Sequence, residues 1–392
     1  MNHNGHRGRG EESRAAQRPQ QKSHGRLLAA IAMTTLSSLA ATAVVAALAV
    51  ALLVAPARAQ EKPLFSIDQE CTAFSLAADG RVVYSVRHVF SQKRFQMERD
   101  DVWVMEAGGR RRRILEGAKL VRGAGPFSYQ VRSLRWSPDG QRVVANLATK
   151  SLTDEDGVAQ DADLVIMLEE NGKEMKTLET ENAVEGGSNA AWLGDSATLG
   201  FLKEEMKPSL LFSINTAKIG SGSATRIFDK ALFAAVAWSG KRNLAVAVER
   251  DEKLSGPPVL VLLDVINQKR TELAKLEEFA GGLTISPSGD RVAYYRDLES
   301  LEVRDVSHPD KPIHVRALMG KYEWSGDERR ILVKPGAENK SNTLEWITVA
   351  DGQREPILHD LTFRDFDISP DGKKLAVRIP GKGNIVVYAV RY

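Results

Sequence analysis

The segment RWSPDGQRVVANL, residues 135–147, constrains this chain more than any other feature, because the chain writes it again. Near-copies are TISPSGDRVAYYR at 284–296 and DISPDGKKLAVRI at 367–379. Aligned on the opening Ser, weaker copies fill the intervals: FSLAADGRVVYSV from 74, AAWLGDSATLGFL from 190, VAWSGKRNLAVAV from 236 and YEWSGDERRILVK from 322. The aligned position falls at residues 77, 137, 193, 239, 286, 325 and 369, so the unit occurs seven times at intervals of 39 to 60 residues. A repeat of that period means stacked or radial modules, and the usual prior of two or three domains for 392 residues does not apply.

Each copy has the same local physics. Asp-Gly or Ser-Gly supplies the backbone angles of a tight turn. Pro at 138, 287 and 370 fixes φ where no N–H is needed. An apolar strand follows, as in Val143-Val144-Ala145 and Leu375-Ala376-Val377. A third strand comes next (DVWVM from 101, DLVIML from 163, PVLVLLDV from 258, NIVVYAV from 384), then a short outer one (RRILE from 112, RTELA from 270, REPIL from 354). Four short antiparallel strands per unit, repeated seven times, with no long amphipathic helix after residue 59, predict an all-β fold: a seven-bladed β-propeller of four-stranded antiparallel blades. The last unit ends at Tyr392 after its third strand, while PLFSI, 63–67, precedes the first. We expect the N-terminal strand to complete the last blade by pairing with 384–391, which removes an open sheet edge.

The Ser-Pro-Asp-Gly hairpin, together with Asp101-Val102-Trp103, resembles the WD-repeat-like propellers of the TolB type. It is also similar to the propeller domain of prolyl-oligopeptidase-like peptidases. The resemblance covers nearly all of 61–392. It implies the fold and little about function, because the matching residues are turn and core positions. The separate α/β domain that TolB carries ahead of its propeller has no counterpart between Gln60 and Cys71.

Residues 1–59 differ in kind. A basic stretch through Arg26 precedes 29 uncharged residues, 27–55, and then Pro56-Ala57-Arg58-Ala59 ahead of Gln60. That order reads as a secretory signal cleaved after Ala59, or as an N-terminal membrane anchor. A helix of this length would reach roughly 43 Å, against a hydrocarbon core of about 30 Å. Either reading makes 60–392 extracytoplasmic, periplasmic or secreted if the segment is cleaved and held at the inner membrane if not. The segment holds seven Lys and Arg against two Asp and Glu, so the formal net charge of +3 becomes −2 for the remainder. Nothing electrostatic then favours nucleic acid. One cysteine, Cys71, excludes an internal disulfide and a cysteine zinc cluster.

Signatures of chemistry are missing. There is no nucleophile elbow, Walker loop or dinucleotide fingerprint, and the histidines are scattered, so we expect no catalytic, cofactor-binding or metal residue and no cofactor. The acidic run 153–163 lacks the spacing of a calcium loop and reads as a solvated loop. Arg110 to Arg113 read as a solvated strand edge, with an anionic partner as the alternative. In a propeller the first-to-second turns open on one face, and the second-to-third and unit-to-unit links on the other. The longest links are 87–100, 116–130 and 148–163. They carry Phe90, Arg94, Phe95, Phe127 and Tyr129, our candidate residues for binding a protein or peptide partner. The expected function is a non-enzymatic scaffold at the cell envelope. The alternatives are an enzyme with a site in the central channel, or a stand-alone peptidase-type propeller without its hydrolase domain.

Overall fold

A computed structural model describes residues 62–92, 95–119, 127–152, 159–169, 174–180, 190–204, 211–219, 224–251, 253–334, 343–358, 361–381 and 384–390. The signal or anchor reading of 1–59 lies outside them. The described chain is all β apart from one short 3-10 turn at Gly117–Lys119.

A short strand comes first, β1 (Phe65–Ile67). Then follow β2 (Cys71–Leu76), β3 (Val82–Gln92), β4 (Phe95–Met105) and β5 (Arg111–Leu115), paired in that order. The next group is β6 (Phe127–Trp136), β7 (Arg142–Leu152), β8 (Ala159–Glu169) and β9 (Glu174–Thr180). It is followed by β10 (Ala190–Trp192), β11 (Thr198–Glu204) and β12 (Phe212–Lys218). The long β13 (Thr225–Trp238) serves two groups: residues to Ala231 pair with β12, and those from Leu232 pair with β14 (Leu244–Arg250). β15 (Val259–Asp264) and β16 (Lys269–Lys275) complete that second group. Two plain four-stranded sheets follow: β17 (Gly281–Ile285), β18 (Arg291–Tyr295), β19 (Ser300–Asp305) and β20 (His308–Arg316), then β21 (Tyr322–Trp324), β22 (Arg330–Val333), β23 (Leu344–Thr348) and β24 (Arg354–Leu358).

The final sheet has the order β1, β27 (Ile385–Ala389), β26 (Lys374–Arg378), β25 (Asp365–Ile368). Phe65, Ser66 and Ile67 lie opposite Val387, Val386 and Ile385. The Leu64 amide donates to the Val387 carbonyl at 2.8 Å. The expected pairing of the two chain ends is present, over a narrower span than 63–67 with 384–391. Ile67 and Val387 are both fully buried, so closure also adds apolar burial to the seam.

The repeated turn is held by its own side chains. In the copy at 137, Ser137 Oγ donates to Asp139 and accepts from the Arg142 amide at 3.0 Å. Gly140 sits at φ +69° and donates its amide to the Ser137 carbonyl at 2.8 Å. Ser325 with Asp327, and Ser369 with Asp371, repeat the arrangement, so these aspartates are turn acceptors. Two non-glycine residues, Ser196 (φ 54°) and Glu328 (φ 60°), stand at the left-handed position in other copies.

These turns also touch one another in sequence. Arg81 donates to the Gly140 carbonyl, Arg142 to the Ser196 carbonyl and Arg291 to the Glu328 carbonyl. Ser239 Oγ donates to the Pro287 carbonyl. Gly194 packs on the Lys241 backbone and Gly326 on the Asp371 backbone. Lys374 donates to the Ala78 carbonyl at 3.0 Å, returning the series to its start. The hairpin recurs because its residues build both the turn and the contact to the next module. Tryptophan just before the turn does the same on the inner strand. Trp136 Nε1 donates to the Ser75 carbonyl, Trp192 Nε1 to the Arg135 carbonyl and Trp324 Nε1 to Thr284 Oγ1.

Two of the three long links are largely strand. β3 and β4 pair without a break from Val82↔Met105 to Gln92↔Phe95, so 87–100 forms an extended ribbon. β7 and β8 pair from Arg142↔Glu169 to Leu152↔Ala159, which takes in most of 148–163. The segment 116–130 contains the 3-10 turn and the start of β6. Each ribbon strand has 11 residues, against five in β18. At roughly 3.3 Å per residue the ribbons run on the order of 15–20 Å further.

Candidate functional site

Two regions concentrate functional side chains. The first is the ribbon pair on β3–β4 and β6–β8. Its base is organised by two acids in tandem. Asp100, fully buried, accepts from the Val131 amide at 2.7 Å, from Arg87 at 3.1 Å and from Thr72 Oγ1 at 3.4 Å. Asp101 accepts from the Gly117 amide at 2.7 Å and from Arg113 at 3.0 Å, with His88 at 3.3 Å. Asp100 fastens β6 beside β4, where Arg99 and Tyr129 pair in parallel, and Asp101 ties β5 and the 3-10 turn to β4.

Of the candidate residues, Tyr129 is corrected. It is fully buried, and its hydroxyl donates to the Asp100 carbonyl at 2.8 Å. Burial, with Asp101 and Asp100 nearby, pushes its phenol well above the usual range. It is a support for the ribbon base and has no surface to offer a partner. Phe90 lies on β3, half-buried, with the Arg99 guanidinium 4.8 Å from its ring centre. Its neighbours Val89 and His88 are exposed. Phe95 opens β4 and Phe127 opens β6. Arg94 lies outside the described residues. Phe90 and Phe95 therefore belong to one hairpin, and Phe127 to the strand beside it.

The second region is axial and was missed in the sequence. Arg135 on β6, Lys321 and Glu323 around β21, and Asp365 and Asp367 on β25 come from three inner strands far apart in the chain. Lys321 Nζ lies 2.9 Å from Asp365 and 3.8 Å from Glu323. Asp367 accepts from the Leu76 amide at 2.7 Å, and Arg135 stands 3.9 Å from it. Arg135 keeps 41% and Glu323 28% of their side-chain surface open.

A signal for this cluster does exist in the sequence. Arg135, Glu323 and Asp367 all stand two residues before the aligned Ser of their repeat. The same column reads Ser75, Ala191, Ala237 and Thr284 elsewhere. The column is thus charged in three copies and small in the other four.

Electrostatics differ within the cluster. Burial raises the Glu323 carboxyl above the usual range. Lys321 and Arg135 oppose that shift, and Asp367 and Asp365 add to it. Burial also acts upward on Asp365, but the Lys321 ammonium and the Phe366 amide win and hold it below the usual range. A raised carboxyl makes the folded state the better proton binder, so Glu323 withdraws stability as pH rises from the ordinary glutamate range through its own. Glu323→Gln should therefore melt like the parent in acid and higher than the parent at neutral pH, in a series of thermal melts. A lower melting temperature at neutral pH would show that ionised Glu323 is net favourable.

Cys71 is buried, and burial pushes its thiol up to about 12. Among the described residues no group of three or more His, Cys, Asp or Glu is placed to hold a metal ion. Among the same residues no helix is long and apolar enough to cross a membrane. Arg110 to Arg113 lie at and in β5; Arg111 and Arg113 both stand over Trp103 at 5.6 Å, and Arg113 is further tied to Glu116 at 3.0 Å.

No family model matches the chain, and no curated protein is significantly similar to it. Solved structures do match. A chain of a mitotic checkpoint complex aligns over 85% of this chain and 96% of its own, at 14% identity and a TM-score of 0.56. The β-propeller domain of Cps50 (Swd1) from Myceliophteria thermophila aligns over 83% and 99%, at 13% identity and a TM-score of 0.51. A prolyl endopeptidase aligns over 84% of this chain at 12% identity and a TM-score of 0.53; this chain spans 51% of that one. At such identities the likeness is one of fold. The chain has the fold of the WD-repeat-like β-propellers.

Proposed function

We propose that this protein is a seven-bladed β-propeller, closed by its N-terminal strand, that works outside the cytoplasm as a non-enzymatic scaffold for a protein or peptide partner. The blade count rests on seven four-stranded groups, with β13 shared between two, and on the return contact from Lys374 to Ala78. The extracytoplasmic reading rests on the leader grammar of 1–59, cleaved after Ala59 or kept as an anchor. One observation carries the scaffold reading: among the described residues the longest unbroken hairpins, β3–β4 and β7–β8, are two neighbouring ribbons braced by a buried carboxylate. A rigid platform that lifts exposed side chains clear of the blades is a binding device. The axial cluster favours the same reading over a channel enzyme, because Asp365 and Asp367 are engaged with Lys321 and the Leu76 amide.

The ribbon face is tested by affinity capture from envelope extract, comparing the parent with a Val89→Asp, Phe90→Asp double variant. The parent should retain a defined protein set that the variant loses while keeping its melting temperature. An identical set retained by both proteins would contradict the ribbon assignment.

A further inference from the structure

A second surface lies on the far side of the ring from the ribbons. β18 and β19 are joined by the turn Arg296–Glu299, and a cavity opens on each side of it. One, of about 450 Å³, is walled by Arg250, Pro257, Glu277, Phe279 and Arg296. The other, of about 380 Å³, is walled by Glu299, Arg316, Leu318 and Arg354. Leu298 stands on the crest between them and is 68% exposed. Leu254 beside the first cavity is 61% exposed, and Leu318 in the second is 42% exposed.

Leu254 adds a second kind of evidence. Its φ is +54°, a left-handed conformation that costs a residue with a β-carbon about 1–2 kcal/mol. Its amide donates to the Asp251 carbonyl, and the Asp251 carboxylate accepts from the Ser255 and Gly256 amides. A leucine held in this conformation with its side chain in water returns nothing to the fold. Strain of this kind collects at sites that bind.

The charges define the occupant. Among the described residues Arg250 and Glu277 in the first cavity make no ion pair, and neither do Arg316 and Glu299 in the second. Each cavity therefore offers one unpaired cation and one unpaired anion. An acidic ligand would meet Glu277 and Glu299, and a basic one Arg250 and Arg316. A peptide main chain suits both, since its carbonyls accept from arginine and its amides donate to glutamate.

We propose that blades four to six bind an extended peptide segment of no net charge across the turn Arg296–Glu299, with its apolar side chains on Leu254, Leu298 and Leu318. This surface is independent of the ribbons, so either can fail without the other.

The test uses the purified protein, fluorescently labelled, on three immobilised libraries of short random peptides. One is built from Leu, Val, Ala, Ser, Asn and Gln; the second adds Asp and the third adds Lys. Saturable binding should come from the uncharged library and change little between low and physiological salt. Leu298→Asp should weaken it by at least about tenfold, as for a central contact. Ile266→Asp, equally exposed on a turn of the opposite face, should leave it unchanged, as should Val89→Asp. Both variants at 298 and 266 should keep the parent melting temperature. Preference for the acidic or basic library, no saturable binding at all, or full binding by Leu298→Asp would overturn the proposal. So would a dimer in sedimentation that Leu298→Asp dissolves, which would assign the surface to a second copy of the chain.

Discussion

Gly194→Ala is expected to destabilise the protein strongly while Gly240→Ala, in the next copy of the same turn, is neutral. Gly194 is not at positive φ, so alanine meets no backbone penalty of its own. The obstacle is the neighbouring module. A β-carbon at 194 would stand 2.4 Å from the Lys241 carbonyl oxygen and 2.7 Å from the Arg242 nitrogen. Both are backbone atoms of a turn fixed by Ser239, so they cannot swing away as a flexible side chain would. Relief requires two blades to separate, and overpacking of this kind costs roughly 1–3 kcal/mol or more. At Gly240 nothing lies within 4 Å of the same atom. Urea unfolding of both variants gives the comparison. Equal midpoints would mean that the turns do not abut as described.

The second large effect is at the ribbon base. Asp100→Ala removes the acceptor of the Val131 amide and the partner of Arg87, and leaves a fully buried position with an unpaired N–H. Loss of one partner from such a set costs on the order of 2–4 kcal/mol. Arg87 retains Glu98 at 3.4 Å and is partly exposed, which places the expected cost below the upper end. Asp100→Asn keeps one acceptor oxygen and should recover part of the loss. The damage should be local. Amide exchange should quicken in β3, β4 and β6 first, while β18 and β22 stay protected. Uniform loosening of every blade would show that the ribbons are not a separate unit of stability.

How much of this was legible in the sequence depended on how far the determining contact lay along the chain. The hairpins were legible because turn chemistry and apolar alternation sit within a dozen residues, as at 137–147. Ring closure was legible by counting strands. The ribbons were not, because 87–100 reads as polar on both faces. Its Arg87, His88 and Glu98 find their partners in Asp100, Asp101 and Gln130 on neighbouring strands. Tyr129 looked like a loop aromatic because it follows a Gly- and Pro-containing stretch. Its burial depends on Gly117, where a β-carbon would stand 2.4 Å from the tyrosine hydroxyl. The axial charges form a column of the repeat, so they show only when the copies are aligned and read downward. Read along the chain, Arg135, Glu323 and Asp367 are ordinary surface residues.

The fold depends on β1 sealing the last sheet in one register. Ser66 and Val386 lie opposite each other, and directly opposed antiparallel residues stand about 4.5–5.5 Å apart at Cα, within reach of a disulfide. The decisive measurement is oxidation of a Ser66→Cys, Val386→Cys variant, read by mass spectrometry of the monomer beside a Ser66→Cys, Ala389→Cys control. An intramolecular disulfide and a raised melting temperature are expected for the first pair, and free thiols for the second. Free thiols in the first pair, or a cross-link found only between molecules, would contradict this register.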